Sequence, residues 1–170
     1  MRRALVLAAV AATAASFGCG SKSPSGPSNQ PTIFTVQMRA ANETPPVTGA
    51  EANASGTAVI TFNTTKDSAG AITSATVDFN VTMTGFPNGA TAVAAHIHPG
   101  AAGATGSPLV NTGLTAGTGI AMPNGSGSFS FTGIPVSADN ATQILAAPQN
   151  FYFNVHTTVN PGGAIRGQLR

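Results

Sequence analysis

A two-residue alternation of apolar and polar side chains runs through most of the chain after Thr32. In one segment, Val77, Phe79, Val81 and Met83 alternate with polar side chains without interruption. Successive side chains of a β-strand point to opposite faces, so this pattern is typical of strands that bury one face. Turn-forming glycine, proline and asparagine residues separate the segments. The sequence therefore predicts about seven short strands.

Such a series of short strands favours an all-β fold, either a Greek-key β-sandwich or a barrel. One short helix is predicted near residues 140–147, with Asn140 as its N-cap, Gln143 three residues later and Pro148 at its end. The long connection 99–119 holds six glycines, and connections of this length often cover a functional site. Only 7% of the residues are charged, which excludes a coiled coil.

The N-terminus has the form of an export signal. Residues 1–19 contain two arginines, an apolar stretch too short to stay as a membrane span, and then Cys19. This resembles a bacterial lipoprotein signal peptide with a lipidated cysteine, although Ser16 stands where that family usually has leucine. The alternative is an ordinary secretory signal cut nearby, which would leave Cys19 as a free thiol.

Residues 20–31 are rich in serine, proline and glycine and are predicted to be a flexible linker to a folded domain over 32–170. The expected location is the bacterial cell envelope, facing the periplasm or the surface, with the membrane as a partner through the lipid. Without Arg2 and Arg3 the chain has five basic and five acidic residues, 5 − 5 = 0, so nucleic acid is not an expected partner.

The apolar rows of three predicted strands show which residues face away from the core. The rows are Val93, Ala95 and Ile97; Phe151, Phe153 and Val155; and Ile165, Gly167 and Leu169. The side chains of His96, His98, His156 and Arg166 then lie together outside the core, beneath the glycine-rich connection.

Two histidines separated by one strand residue stand parallel, which suits two imidazoles on one metal ion. A third imidazole from a neighbouring strand would give an open site for copper or zinc. The alternative is that His96, His98 and His156 are solvated or bonded to loop carbonyls. Arg166 would either order the loop or bind an anion.

Several ordered motifs resemble the CHRD domain, which was first described in chordin. They are Asn42-Glu43-Thr44-Pro45-Pro46, Ala95-His96-Ile97-His98-Pro99-Gly100, Phe151-Tyr152-Phe153-Asn154-Val155-His156-Thr157 and Asn160-Pro161-Gly162-Gly163-Ala164-Ile165-Arg166-Gly167-Gln168-Leu169. Ala164 stands where the family usually has glutamate, and Gly167 where it often has cysteine. The resemblance implies an immunoglobulin-like or superoxide-dismutase-like barrel.

A more distant resemblance is to copper–zinc superoxide dismutase. His96 and His98 would correspond to its His-X-His copper ligands, His156 to its late copper ligand and Arg166 to its active-site arginine. A fourth histidine, the zinc ligands and a disulfide are missing, so a zinc-assisted dismutase is not supported.

The leading functional hypothesis is a membrane-tethered, non-catalytic binding module for a metal, another ligand or a protein. No catalytic residues are assigned, because the chain shows no nucleophile–base pair and its five carboxylates are scattered. The alternative is a copper-dependent, dismutase-like redox enzyme. A third possibility is a purely structural envelope domain.

Overall fold

The computed structural model describes residues 29–170, which form one all-β domain with a single α-helix. Nine strands and one helix lie in this part of the chain: β1 (Thr32–Arg39), β2 (Ser55–Lys66), β3 (Ile72–Thr84), β4 (Ala90–Pro99), β5 (Val110–Asn111), β6 (Ile120–Met122), β7 (Gly127–Val136), α1 (Ala138–Ala146), β8 (Phe151–Thr157) and β9 (Ile165–Gln168). The all-β prediction is confirmed. The predicted signal peptide, Cys19 and most of the predicted linker lie outside the described residues.

All strand pairs in the described region are antiparallel, in the order β5-β4-β8-β9-β1-β2-β3-β7, with β6 also paired to β4. The sheet nearly closes into a barrel, since β6 on one side contacts β7 on the other. Barrel closure leaves few unpaired strand edges. Within residues 29–170, no helix has the length and apolarity needed to cross a membrane.

The barrel interior is filled by the apolar rows of the strands. Phe79 of β3 stacks on Phe153 of β8 across the barrel, with ring centroids 5.6 Å apart. The helix α1 packs on β3 and buries Ala141 and Ile144. Since the interior side chains are almost all apolar, the polar chemistry of the domain lies on the outer face of the sheet.

Three sequence expectations were wrong in detail. The connection 99–119 is not all loop, because β5 lies inside it and β6 begins just after it. Strands this short give too brief a pattern to detect. Val93 is only half-buried and Ala92 takes its core position, because a β-bulge shifts the register between Ala92 and Ala94.

The N-cap of α1 is Ser137 rather than Asn140. The Ser137 hydroxyl accepts a hydrogen bond from the backbone N–H of Asn140, 3.2 Å away, so the N-cap lies three residues earlier than predicted. Serine and asparagine are both strong N-caps, and two good candidates three residues apart leave the boundary open.

Candidate metal centre

The register between β4 and β8 brings the three histidines together. His96 pairs with Asn154 and His98 with Tyr152, while His156 pairs with Ala94. These residues share the outer face of the barrel because their core-facing neighbours are apolar. One potential ligand atom of each histidine lies within 4.8 Å of the others. The predicted meeting of the imidazoles is therefore present.

His98 is held in one orientation by the glycine-rich connection. Its Nδ1 lies 2.8 Å from the carbonyl oxygen of Gly106, and its ring stacks on Tyr152 with centroids 4.8 Å apart. A carbonyl oxygen only accepts, so Nδ1 carries the hydrogen and Nε2 has a bare lone pair. This Nε2 is buried and has no hydrogen-bond partner.

His156 is fixed in the same way by the turn that follows β8. Its Nδ1 lies 2.9 Å from the carbonyl oxygen of Pro161, so the hydrogen of the neutral ring is again on Nδ1. Its Nε2 is 3.1 Å from His96 Nδ1 and 3.1 Å from Asn154 Oδ1. Nε2 of His156 is thus an acceptor to which His96 Nδ1 can donate, whereas Nε2 of His98 is left for another partner.

The three imidazoles are held in their neutral forms. Burial, with a smaller effect of positive charge on His156 and His98, lowers the pKa of His96 to about 4. Burial also lowers the pKa values of His98 and His156, although their hydrogen bonds to backbone carbonyls have the opposite, smaller effect. Neutral imidazole is the form that ligates a metal ion.

Arg166 orders the loop above the site. It is only 1% exposed, its Nη2 donates to the carbonyl oxygen of Ala101 at 3.0 Å, and its guanidinium lies 3.4 Å from the centroid of the Tyr152 ring. Nη2 also donates to Gln168 Oε1 at 3.3 Å, whereas Nη1 is buried without a partner. These contacts match the loop-ordering alternative for Arg166; the anion-binding role stays a prediction.

The CHRD domain family model matches residues 34–169, which is most of the chain. The chain belongs to the CHRD domain family. Comparison with curated proteins and with solved structures gives no match to either. The CHRD motifs around His96, His156 and Arg166 are the segments that surround the histidine cluster, so the family resemblance and the site coincide in the chain.

The CHRD motif after β1 contributes a buried carboxyl group to the same region. Glu43 is 7% exposed, and burial raises its pKa to about 7 despite the opposing effects of the Arg166 charge and of hydrogen bonds from the Asn154 side chain and the Thr44 backbone. Gly163 makes room for it, because a Cβ there would lie 2.6 Å from Glu43 Oε1. Glu43 therefore lies against the turn after β8, near Asn154 and Arg166.

Glu51 also holds that turn in place. Its Oε2 accepts hydrogen bonds from Thr157 Oγ1 at 2.7 Å and from Asn160 Nδ2 at 2.6 Å. The same turn presents the Pro161 carbonyl to His156. The fully buried Glu51 is thus part of the support that sets the tautomer of His156.

Sequence reasoning found the histidines and Arg166 but missed Glu43, Glu51 and Asn154 as parts of the site. Asn154 could have been found, because it lies two residues before His156 on the same face of the strand. Glu43 and Glu51 lie in irregular segments with no periodicity, and only the tertiary fold brings them to β8.

Proposed function

We propose that this CHRD domain is a non-catalytic module that binds one copper or zinc ion through His96, His98 and His156. The observation that carries the proposal is the convergence of lone pairs. Two backbone carbonyls hold hydrogens on Nδ1 of His98 and His156, so Nε2 of both rings is an acceptor. Nε2 of His98 is buried without a partner, and Nε2 of His156 lies 3.1 Å from His96 Nδ1, which can donate to it. A buried acceptor without a donor is unfavourable, and a cation would satisfy it.

The spacing of the ligand atoms fits one ion after a small contraction. Two nitrogens 3.1 Å apart, as in His96 and His156, would subtend an angle of about 100° at an ion about 2.05 Å from each. Tetrahedral ligands at that distance are about 3.4 Å apart, so the widest separation of 4.8 Å has to close by about 1.4 Å. His96 is only half-buried, which gives its ring room to move.

The donor atoms favour copper or zinc over harder ions. Imidazole nitrogen suits both metals, whereas magnesium and calcium prefer oxygen ligands. For divalent ions at a site of this kind, the general order of affinity places copper above zinc. Among residues 29–170, the three histidines are the one cluster of His, Cys, Asp or Glu able to hold an ion, so a second zinc site is not supported.

A dismutase-like redox enzyme is the second candidate. The partial exposure of His96 favours it, because a small oxidant could reach a copper ion at that side. The Arg166 contacts do not decide against it, since Nη2 is bonded to Ala101 and Gln168 but Nη1 has no partner and could donate to an anion.

We further propose that the protein is exported and tethered to the cell envelope through Cys19, with residues 20–31 as the linker. CHRD domains are typically extracellular, and the leader of the chain supports the same location. Changing Cys19 to serine is expected to move the protein from the membrane fraction to the soluble fraction. An unchanged distribution would rule out lipidation at this cysteine.

The test of the metal proposal is to titrate the purified protein and a His96→Ala/His98→Ala variant with Cu(II) and Zn(II). We expect one ion per chain, with at least a hundredfold weaker binding in the variant. A superoxide-consumption assay on the copper-loaded protein then separates the two candidates: activity would support the redox enzyme, and inactivity the binding module.

A further inference from the structure

Asn154 lies among the three histidines. It pairs with His96 on β4 and with Arg166 on β9, and it is only 2% exposed. Its Oδ1 is 3.1 Å from His156 Nε2, one of the lone pairs that converge in the cluster. A hydrogen-bonding interaction with the Asn154 side chain also raises the pKa of His98, which partly offsets the lowering by burial. The amide is therefore positioned between two of the imidazoles.

Glu43 sets which end of the amide faces the histidines. Above pH 7 Glu43 is ionised and only accepts, so the Asn154 hydrogen bond that lowers the Glu43 pKa comes from Asn154 Nδ2. This arrangement directs Oδ1 toward His156. Glu43 is itself held by the backbone N–H of Thr44 and fits against Gly163, where any Cβ would collide with the carboxylate.

The resulting set of atoms consists of acceptors that face one another. Neutral His156 has its hydrogen on Nδ1, so the contact between Nε2 and Asn154 Oδ1 joins two lone pairs. The nearby Nε2 of His98 has no partner. His96 Nδ1 lies 3.1 Å from His156 Nε2 and can donate to it, but one hydrogen does not satisfy all three buried acceptors. A cation in place of that hydrogen would satisfy them together, and the oxygen is as well placed for it as the nitrogens.

We propose that Asn154 supplies a fourth, oxygen ligand to the ion held by the histidines, and that Glu43 is the positioning residue that aims it. This inference rests on the proposed metal-binding function. An amide oxygen is a harder donor than imidazole, and softer ligands favour Cu(I). The oxygen would therefore stabilise Cu(II) or Zn(II) more than Cu(I), which makes Asn154 a determinant of the preferred oxidation state.

The experiment compares the Cu(II) and Cu(I) affinities of the purified protein with those of three variants, using competing chelators and electron paramagnetic resonance of the Cu(II) form. In Asn154→Ala we expect Cu(II) binding to weaken about tenfold to a hundredfold, Cu(I) binding to change less than about threefold, and the Cu(II) spectrum to shift. Asn154→Asp keeps an oxygen donor and should retain Cu(II) affinity. Glu43→Ala should weaken Cu(II) binding as Asn154→Ala does, whereas the matched variant Glu43→Gln keeps an acceptor for Asn154 Nδ2 and should not.

Equal Cu(II) affinity and an identical spectrum in the protein and Asn154→Ala would overturn the inference while leaving the three-histidine site intact. Failure of the unmodified protein to bind copper or zinc would instead overturn the proposed function. If Asn154→Ala does not fold by circular dichroism, the contrast between Glu43→Ala and Glu43→Gln decides, since equal Cu(II) affinity in those two variants would also refute the role of the amide.

Discussion

Replacing Glu43 by glutamine should change how the stability of the protein depends on pH. Burial raises the pKa of Glu43 from 4.5 to about 7, so between these values the folded protein holds a proton that the unfolded chain has released. The stability associated with this proton is complete below pH 4.5 and is lost as the pH rises through 7. At 1.36 kcal/mol per pH unit, ionisation lowers the free energy of unfolding by about 3 kcal/mol above pH 8.

Glutamine has no proton to lose, so the variant lacks this contribution. Integrating between the two pKa values, the free energy of unfolding of Glu43→Gln minus that of the original protein should rise by about 2.5 kcal/mol from pH 5 to pH 8. The histidines titrate in both proteins and largely cancel in the difference. Urea unfolding followed by far-ultraviolet circular dichroism measures it, and the fluorescence of Tyr152, the single tyrosine in a chain without tryptophan, is a second probe.

The matched control is Asp139→Asn, which removes an exposed carboxylate at the start of α1. Its pH profile should follow that of the original protein within about 0.5 kcal/mol. If Glu43→Gln also runs parallel to the original protein from pH 5 to pH 8, Glu43 is not a buried carboxyl with a raised pKa, and its described environment is wrong.

Three further predictions follow from single contacts. Gly163→Ala should destabilise the protein by about 1–3 kcal/mol in urea unfolding, because the φ of Gly163 is +136° and the new Cβ would meet the Glu43 carboxylate. Unchanged stability would contradict this packing. Burial lowers the pKa of all three histidines, and that of His96 to about 4, so the imidazoles should stay neutral down to mildly acidic pH. Cu(II) affinity measured by chelator competition should therefore stay level from pH 8 to 6.5 and fall only at more acidic pH. A tenfold loss of affinity between pH 8 and 7 would refute this prediction. Ser137→Ala should lower the free energy of unfolding by about 1 kcal/mol, because the N-cap of α1 is lost, whereas Asn140→Ala should lower it much less. Equal losses in the two variants would contradict the assignment of Ser137 as the cap.

The fold and the histidine cluster were predictable because both depend on strand periodicity. In β8, Phe151, Phe153 and Val155 fill the core, so Tyr152 and His156 had to lie on the other face. The prediction placed that face outside the core but did not show how thoroughly it is covered. Every residue of β8 is buried, because loops cover the outer face as well.

The supporting residues were not predictable from pattern alone. Glu43 and Glu51 follow β1 in segments of short 3-10 helices and turns, and each reaches β8 or the turn after it through contacts distant in sequence. The bulge after Ala92 was also hidden, because one extra residue in a strand leaves no mark on an alternation of small side chains. These features depend on tertiary packing, which periodicity does not encode.

The central claim is that His96, His98 and His156 bind one metal ion. Titration of Cu(II) and Zn(II) into the purified protein, into His96→Ala/His98→Ala and into a control with two exposed β3 side chains changed (Asn80→Ala/Thr82→Ala) tests it most directly. The predicted result is one ion per chain in the original and the control proteins, with at least a hundredfold weaker binding in the histidine variant. Equal affinity in all three proteins, or no binding by any of them, would contradict the metal site and leave the histidines as residues that order the loops.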